Sequence, residues 1–228
     1  DLESTLILIP KKDYKEEIEQ AIKESNLKVK KVFYYDIEPT KLTKQIEKVT
    51  KYQIRKQNLE DEIKRIENSD EENKEIKLEN LNKRDTLGKI GYDSVVIADF
   101  DESLKSVITS LLYTDVSPKE KFIITLNQWF DESLLKETNI QPIYYPSVNK
   151  KNLDLFFLKF KKKFDYKPNH LSLLTYDLVG LIYYLSLKNE SSEIYKSFKT
   201  KDIFKGKIGV FEIKDNKINH QLNFYEVN

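Results

Sequence analysis

The chain has no cysteine, so it can form no disulfide framework, present no thiolate nucleophile and build no zinc knuckle. His170 and His220 are its only histidines, which excludes a histidine-rich metal site as well. Lys and Arg number 39 against 38 Asp and Glu, and the net charge of +1 leaves no overall field to draw nucleic acid or an anionic membrane. Arginine, the side chain that grips phosphate in a two-pronged contact, stands only at positions 55, 65 and 84. No nucleic-acid partner is expected. Methionine is absent and Asp1 lies just before an apolar run; we read the chain as a trimmed piece of a longer protein, any signal peptide lying outside it. No apolar run reaches the length of a membrane span. The nearest, Leu171 to Leu187, contains Asp177 and reads as a helix enclosed on most sides in a soluble core.

What is present is organised around Tyr92 to Phe130. Two short runs rich in β-branched and aromatic residues, Tyr92 to Phe100 and Lys121 to Phe130, flank a segment with helical spacing at Leu104, Val107, Ile108, Leu111 and Leu112. The pattern predicts a right-handed βαβ unit with buried parallel strands. Upstream, Leu6-Ile-Leu-Ile-Pro10 reads as a strand, followed by a helix to about Ser25 with Asp13 as its N-cap and Ile18, Ala21 and Ile22 inward. A second strand runs from Val29 to Tyr35, and a helix opens at Pro39 with Leu42, Ile46 and Val49 on the sheet side. Downstream, a strand is expected over Asn139 to Ser147, helices over Lys150 to Phe164 and Leu171 to Lys188, and a terminal β-hairpin turning at Asp215-Asn216, with Ile218 to Val227 as its return strand.

Residues 51–84 interrupt this order. They are mostly Glu, Lys, Asp and Asn with a thin apolar seam at Leu59, Ile63 and Ile66, then Ile76, Leu78 and Leu81, and Asn68-Ser69-Asp70 marks a turn. The spacing predicts a projecting helical hairpin. Its plain reading is a solvated spur; its sharper one is a docking arm, through Leu59, Ile63, Ile66, Arg65 and Arg84, for a protein that covers the seam, and under either its removal leaves the sheet folded.

Candidate chemistry is sparse. Asp99-Phe-Asp101 at a strand end resembles the acid pair of haloacid-dehalogenase-type, magnesium-dependent phosphatases, but no later acidic pair follows a strand, and Asp101 is equally suited to cap the next helix. Gly206 and Gly209 precede a strand and so make no phosphate loop. Asp177 is expected to be answered by backbone donors or by a partner such as Tyr176 or a lysine. Tyr35, Asp36, Asp99, Phe100, Asn127, Gln128, Trp129, Tyr144 and Tyr145 collect at strand ends. In a parallel sheet the earlier groups share one rim, where a small ligand or a second lobe would meet the domain, or where aromatic residues simply cap the edge.

Several segments together resemble a known family. They are Leu6-Ile-Leu-Ile-Pro10 with its helix, Tyr34-Tyr-Asp36, Tyr92 to Asp99, Thr125-Leu-Asn-Gln-Trp129, Asp131-Glu-Ser-Leu-Leu135, Phe156 to Phe164, Pro168, Tyr176-Asp177, and Phe204-Lys-Gly206-Lys-Ile-Gly209-Val-Phe. In this order they look like the second half of a type I periplasmic binding protein of the leucine/isoleucine/valine-binding kind. The insertion ending Arg84-Asp-Thr-Leu-Gly88 is similar to an alphaproteobacterial branch, the penicillin-binding protein activators, lipoproteins that use this fold to stimulate peptidoglycan synthases. The resemblance implies a three-layer α/β/α parallel sheet. Residues 1–147 would form the lobe-two-like domain, and 148–228 the helices and β-hairpin that complete a two-lobe fold whose first βα units lie upstream.

It also implies a periplasmic protein, lipid-anchored through upstream sequence, with no cofactor and no bound metal. Two non-enzymatic functions follow. As an activator, the protein would bind a cell-wall synthase through its surface. As the solute-binding component of a branched-chain amino acid ABC transporter, it would close on an amino-acid-like solute with Asn127, Trp129 and Tyr145 among its contacts, and deliver it to a permease.

Overall fold

The computed structural model describes residues 4–25, 29–126, 138–188, 203–214 and 217–227. Its first half runs β1 (Thr5–Pro10), α1 (Lys15–Glu24), β2 (Lys31–Tyr35), α2 (Pro39–Thr50), α3 (Tyr52–Glu67), α4 (Lys74–Asn82), β3 (Ser94–Ile97), α5 (Asp101–Tyr113) and β4 (Phe122–Thr125). After a 3-10 turn at Thr138–Ile140 come β5 (Ile143–Ser147), α6 (Lys150–Phe164), α7 (His170–Lys188), β6 (Ile203–Lys205), β7 (Val210–Lys214), β8 (Lys217–His220) and β9 (Asn223–Val227).

Every residue of β1 is buried, which a strand achieves only inside a sheet covered by helices on both faces. β1 lies there, parallel to β2 on one side and to β3 on the other. β3 pairs in parallel with β4 from Ser94↔Phe122 to Ile97↔Thr125, and β4 with β5 at Ile124↔Tyr144. The six-stranded sheet has the order β2-β1-β3-β4-β5-β9. The chain therefore winds outward in one direction from β1 and in the other from β3, which places the topological switch point between these two strands.

The described residues divide into two compact units. The first holds those up to Leu126, with 138–144 and the C-terminal Glu226 and Val227; the second is drawn from Tyr145–Tyr225. In the first unit Ile7, Ile9 and Ala98 form a buried cluster against which Ile18 and Ile22 of α1 pack. Leu6 and Leu8 alternate with them and are buried on the opposite face. α2 and α5 pack together, burying Leu42, Ile46 and Val49 from one and Leu104, Val107, Ile108 and Leu111 from the other. At about 2 kcal/mol for each buried aliphatic side chain, this outweighs the helix caps, worth about 1 kcal/mol each. The expected caps are indeed absent. Tyr14 rather than Asp13 stands at the N-cap of α1, without a side-chain bond, and Asp101 is the first residue of α5, behind Phe100.

The insertion is a helical hairpin, α3 packed on α4. Lys51, in the left-handed region at φ 54°, ends α2 and turns the chain into α3. The seam expected to need a partner is closed in part: Leu59 and Ile66 are buried and Ile63, Leu78 and Leu81 half-buried, while Ile76 is exposed. Arg65 is exposed and bridges Glu62 and Glu71, pairs that contribute little in solvent. Nor is the hairpin a detached spur. Arg55 is buried and donates to the Thr114 carbonyl (3.0 Å), the Asp115 carbonyl (3.2 Å), the Asp115 carboxylate (3.1 Å) and the Thr86 hydroxyl. It ties the insertion to the end of α5.

The second unit departs from expectation in two places. Ile218 to Val227 is not one strand: β8 pairs with β7 in the antiparallel sheet β6-β7-β8, whereas β9 joins the large sheet beside β5. And α7 is not enclosed: among its described side chains Leu173, Asp177, Leu181 and Leu185 are buried, while Leu171, Val179, Tyr183 and Leu187 are 57–70% exposed. Asp177 accepts from the backbone N–H of Lys207 (2.8 Å) and of Ile208 (3.1 Å). Gly206 makes room for this, because a Cβ there would lie 2.3 Å from the Asp177 carboxylate. No helix of the described residues is long and apolar enough to cross a membrane.

Two variants test these ties by urea unfolding. Arg55→Met should lower stability by about 2–3 kcal/mol, the cost of unpaired buried acceptors, with the exposed part of Asp115 contributing little; a loss below ~0.5 kcal/mol would show that α3 is held by apolar contact alone. Gly206→Ala should cost about 2 kcal/mol by displacing the buried Asp177 carboxylate from its donors.

Candidate functional site

The carboxyl end of a parallel sheet at its switch point is where open α/β folds bind ligands. In this protein the side chains at that end of β3 converge on Asp99. Asp99 follows β3 and is fully buried. One of its oxygens, Oδ1, accepts from Lys12 Nζ (2.7 Å), Tyr14 OH (2.8 Å), Ser103 Oγ (2.7 Å) and Phe100 N–H (2.8 Å). The other, Oδ2, accepts from Tyr35 OH (2.6 Å). Lys12 also donates to Ser103 Oγ at 2.5 Å. Four of these five donors crowd on Oδ1 and one answers Oδ2.

Local structure explains how they converge. Pro10 ends β1, so Lys12 and Tyr14 fall in the turn before α1, above the end of the neighbouring β3. Tyr35 is the last residue of β2 and fully buried. Ser103 lies in the first turn of α5, four residues after Asp99, and the N-terminal end of that helix favours a negative charge. The Phe100 ring meets Tyr14 edge-on at 5.8 Å.

Burial alone would raise the Asp99 pKa, but hydrogen bonds from Lys12, Tyr35, Ser103 and Tyr14 together outweigh it and hold the carboxyl below its ordinary value. The tyrosines move the other way. Burial first, then the neighbouring Asp99 charge, raises both Tyr14 and Tyr35, so they remain neutral donors.

Of the expected rim residues, Tyr35, Asp99 and Phe100 meet in this cluster. Asp36 lies at its edge, half-exposed, accepting from Gln45 Nε2 (2.8 Å) and Lys11 Nζ (3.0 Å), which hold its pKa down. Tyr144 packs on Phe122, their ring centroids 5.5 Å apart. Tyr145 belongs to the second unit, where it is buried against Tyr225. Asn127, Gln128 and Trp129 lie outside the described residues. Arg84 is exposed beyond α4.

Sequence reading missed Lys12, Tyr14 and Ser103. Their only local signal is position: polar side chains one turn beyond a buried strand, and the residue four after Asp99. The acid pair Asp99 and Asp101 does not converge on a phosphatase-like centre. Asp99 is sealed and Asp101, at φ 53°, is exposed; among the described residues no cluster of His, Asp or Glu is placed to hold a metal ion.

Replacing Asp99 by Ala should cost about 3 kcal/mol, since it strands Lys12 and two tyrosine hydroxyls, with Lys12 partly relieved by solvent. The depressed pKa has a second consequence. Its stabilisation is present above the unfolded carboxyl value of about 4 and is lost as pH falls through the lower folded value. Unfolding free energies measured between pH 6 and 2 should therefore fall less steeply for Asp99→Asn than for the parent; equal slopes would remove Asp99 from the acid response.

Comparison with family models and with curated proteins finds no match by sequence. Solved structures do match. The chain is similar to a branched-chain amino acid ABC transporter periplasmic ligand-binding protein from Burkholderia xenovorans LB400, with TM-score 0.60 and 8% identity over 96% of this chain and 52% of that one. It is also similar to the C-domain of LpoA from Haemophilus influenzae, a regulator of PBP1A, with TM-score 0.52 and 11% identity over 98% of this chain and 58% of that one. The chain thus spans little more than half the length of either solved chain. With its parallel strands in the order β2-β1-β3-β4-β5 and a separate antiparallel sheet, it has the fold of the type I periplasmic binding proteins.

Proposed function

We propose that this chain is part of a non-enzymatic, extracytoplasmic protein that regulates a peptidoglycan synthase through its surface rather than capturing a solute. The observation that carries this reading is the engagement of Asp99 by five donors of its own chain. An amino-acid ligand needs a carboxylate free to take its ammonium group, and the carboxylate at the switch point already serves Lys12, Tyr14, Tyr35, Ser103 and Phe100 N–H. A ligand site is a concave, mostly apolar pocket with a few polar groups aimed into it, whereas Asp99 is fully buried and turned to its own chain. The likeness to a PBP1A regulator domain supports the same direction.

The partner-facing element in this reading is the α3–α4 hairpin. With Leu59 and Ile66 buried, what it offers is its outer side, including Arg84 and the exposed Ile54 and Ile76. The docking is then polar with a few apolar points, in the manner of non-obligate interfaces. A solute-binding role beside an ABC permease is the second reading, favoured by the likeness to the ligand-binding protein.

Thermal unfolding with and without amino acids separates the two. A ligand at 100 times its Kd stabilises by about 2.7 kcal/mol, a rise of roughly 5–10 °C for a chain of this size. We expect no rise with any amino acid, together with saturable binding to a purified penicillin-binding synthase that Arg84→Glu weakens at unchanged thermal midpoint. A clear rise with one amino acid and no synthase binding would reverse the assignment.

A further inference from the structure

The near-zero net charge of this chain conceals a segregated one. Between Lys150 and Lys167 stand seven lysines against two acids, Asp154 and Asp165, although the whole chain carries only +1. Lys161, Lys162 and Lys163 fill the last turn of α6, where the helix dipole favours cations. The dipole does not explain what these cations surround. Asp165, in the left-handed region at φ 59°, ends the helix with its N–H on the Lys161 carbonyl at 2.8 Å, and the chain turns back so that Tyr166 lies beside Phe160 and Phe164. The Tyr166 ring meets Phe160 edge-on at 5.4 Å and stands 6.1 Å from Phe164, which is 4.6 Å from Phe160. Phe160 is half-buried, but Phe164 is 46% and Tyr166 60% exposed. Leu158, three and four residues before Lys161 and Lys162 and so on their side of the helix, is 67% exposed. α6 thus ends in an aromatic knob among four exposed lysines, Lys161, Lys162, Lys163 and Lys167, with the Lys163 ammonium 5.4 Å from the centre of the Phe164 ring.

We propose that this end of α6 docks on an anionic lipid surface, with Phe164, Tyr166 and Leu158 entering the headgroup layer while the lysines meet the lipid phosphates. Two features select that partner. Lysine stems lie along apolar surface with their ammonium heads in the polar layer, and tyrosine, apolar in its ring and polar at its tip, is the residue of membrane–water interfaces. A soluble polyanion would be held by charge alone and leave Phe164 and Leu158 in water. A surface built to grip phosphates singly would use arginine, and none follows Arg84. The net charge of +1 is no obstacle, because within about 10 Å, the screening distance in ordinary salt, the lysines at the end of α6 set the field. All these residues belong to the second unit, and the inference is independent of whether the protein regulates a synthase or carries a solute.

Vesicle flotation tests it. The parent chain should float with vesicles containing phosphatidylglycerol, stay behind with phosphatidylcholine alone, and be released as salt is raised. Lys161→Glu with Lys162→Glu should weaken binding at least about 25-fold, at about fivefold for each lysine lost. Lys56→Glu with Lys64→Glu, exposed on α3 and equal in net charge, should leave it within about twofold. Tyr166→Ser should lower affinity for the vesicles and leave binding to heparin, a soluble polyanion, unchanged. Failure of the parent to float with phosphatidylglycerol would overturn the proposal, as would an equal loss in the α3 variant, since the attraction would then follow net charge. Heparin bound as tightly as the vesicles, with Tyr166→Ser indifferent to both, would give the patch to a soluble polyanion instead. The substituted lysines are exposed, so thermal midpoints should not move, and the parent's flotation decides the matter even where one does.

Discussion

Burying the Asp99 carboxylate is the constraint on which the first unit depends. An ionised carboxylate taken out of water costs several kcal/mol unless charge and hydrogen bonds answer it. Here the answer comes from the ends of all three central strands at once. Lys12 and Tyr14 follow β1, Tyr35 closes β2, Asp99 itself follows β3, and Ser103 opens α5. The network therefore acts as a clasp across the switch point.

The same problem recurs elsewhere with different solutions. Asp177 is buried in a largely apolar helix and is served by the backbone of the turn at Gly206, where the lack of a side chain lets amides approach the carboxylate. Arg55 reverses the roles, a buried cation whose guanidinium is spread over carbonyls at the end of α5. In each case one charged residue joins elements distant in sequence. This is how a chain with 34% charged residues, few glycines and no cysteine builds specific joints.

α7 and the hairpin show opposite outcomes of one rule, that apolar stripes need cover. The thin seam of α3 is covered by its own neighbourhood, so the hairpin turns a mostly polar outer side to solvent. The broad apolar surface of α7 is covered along a single stripe.

Much of the architecture was legible because it is written in short-range periodicity. The β-branched runs at Leu6–Ile9, Val95–Ile97 and Ile123–Thr125 became adjacent parallel strands, and the spacings in α2 and α5 put Leu42, Ile46, Leu104 and Ile108 inside. Periodicity reports which face of an element is apolar, and from it the sequence alone determined the βα alternation, the inserted hairpin and a buried Asp177. It does not report what stands opposite. That Lys12 and Tyr14 meet Asp99, that Arg55 anchors the insertion, that Ile218 to Val227 divides between two sheets, and that α7 keeps an open side were decided only by tertiary structure. The reason is physical: a buried charge selects its partners by distance in space, and residues separated by most of a domain carry no local pattern that ties them together.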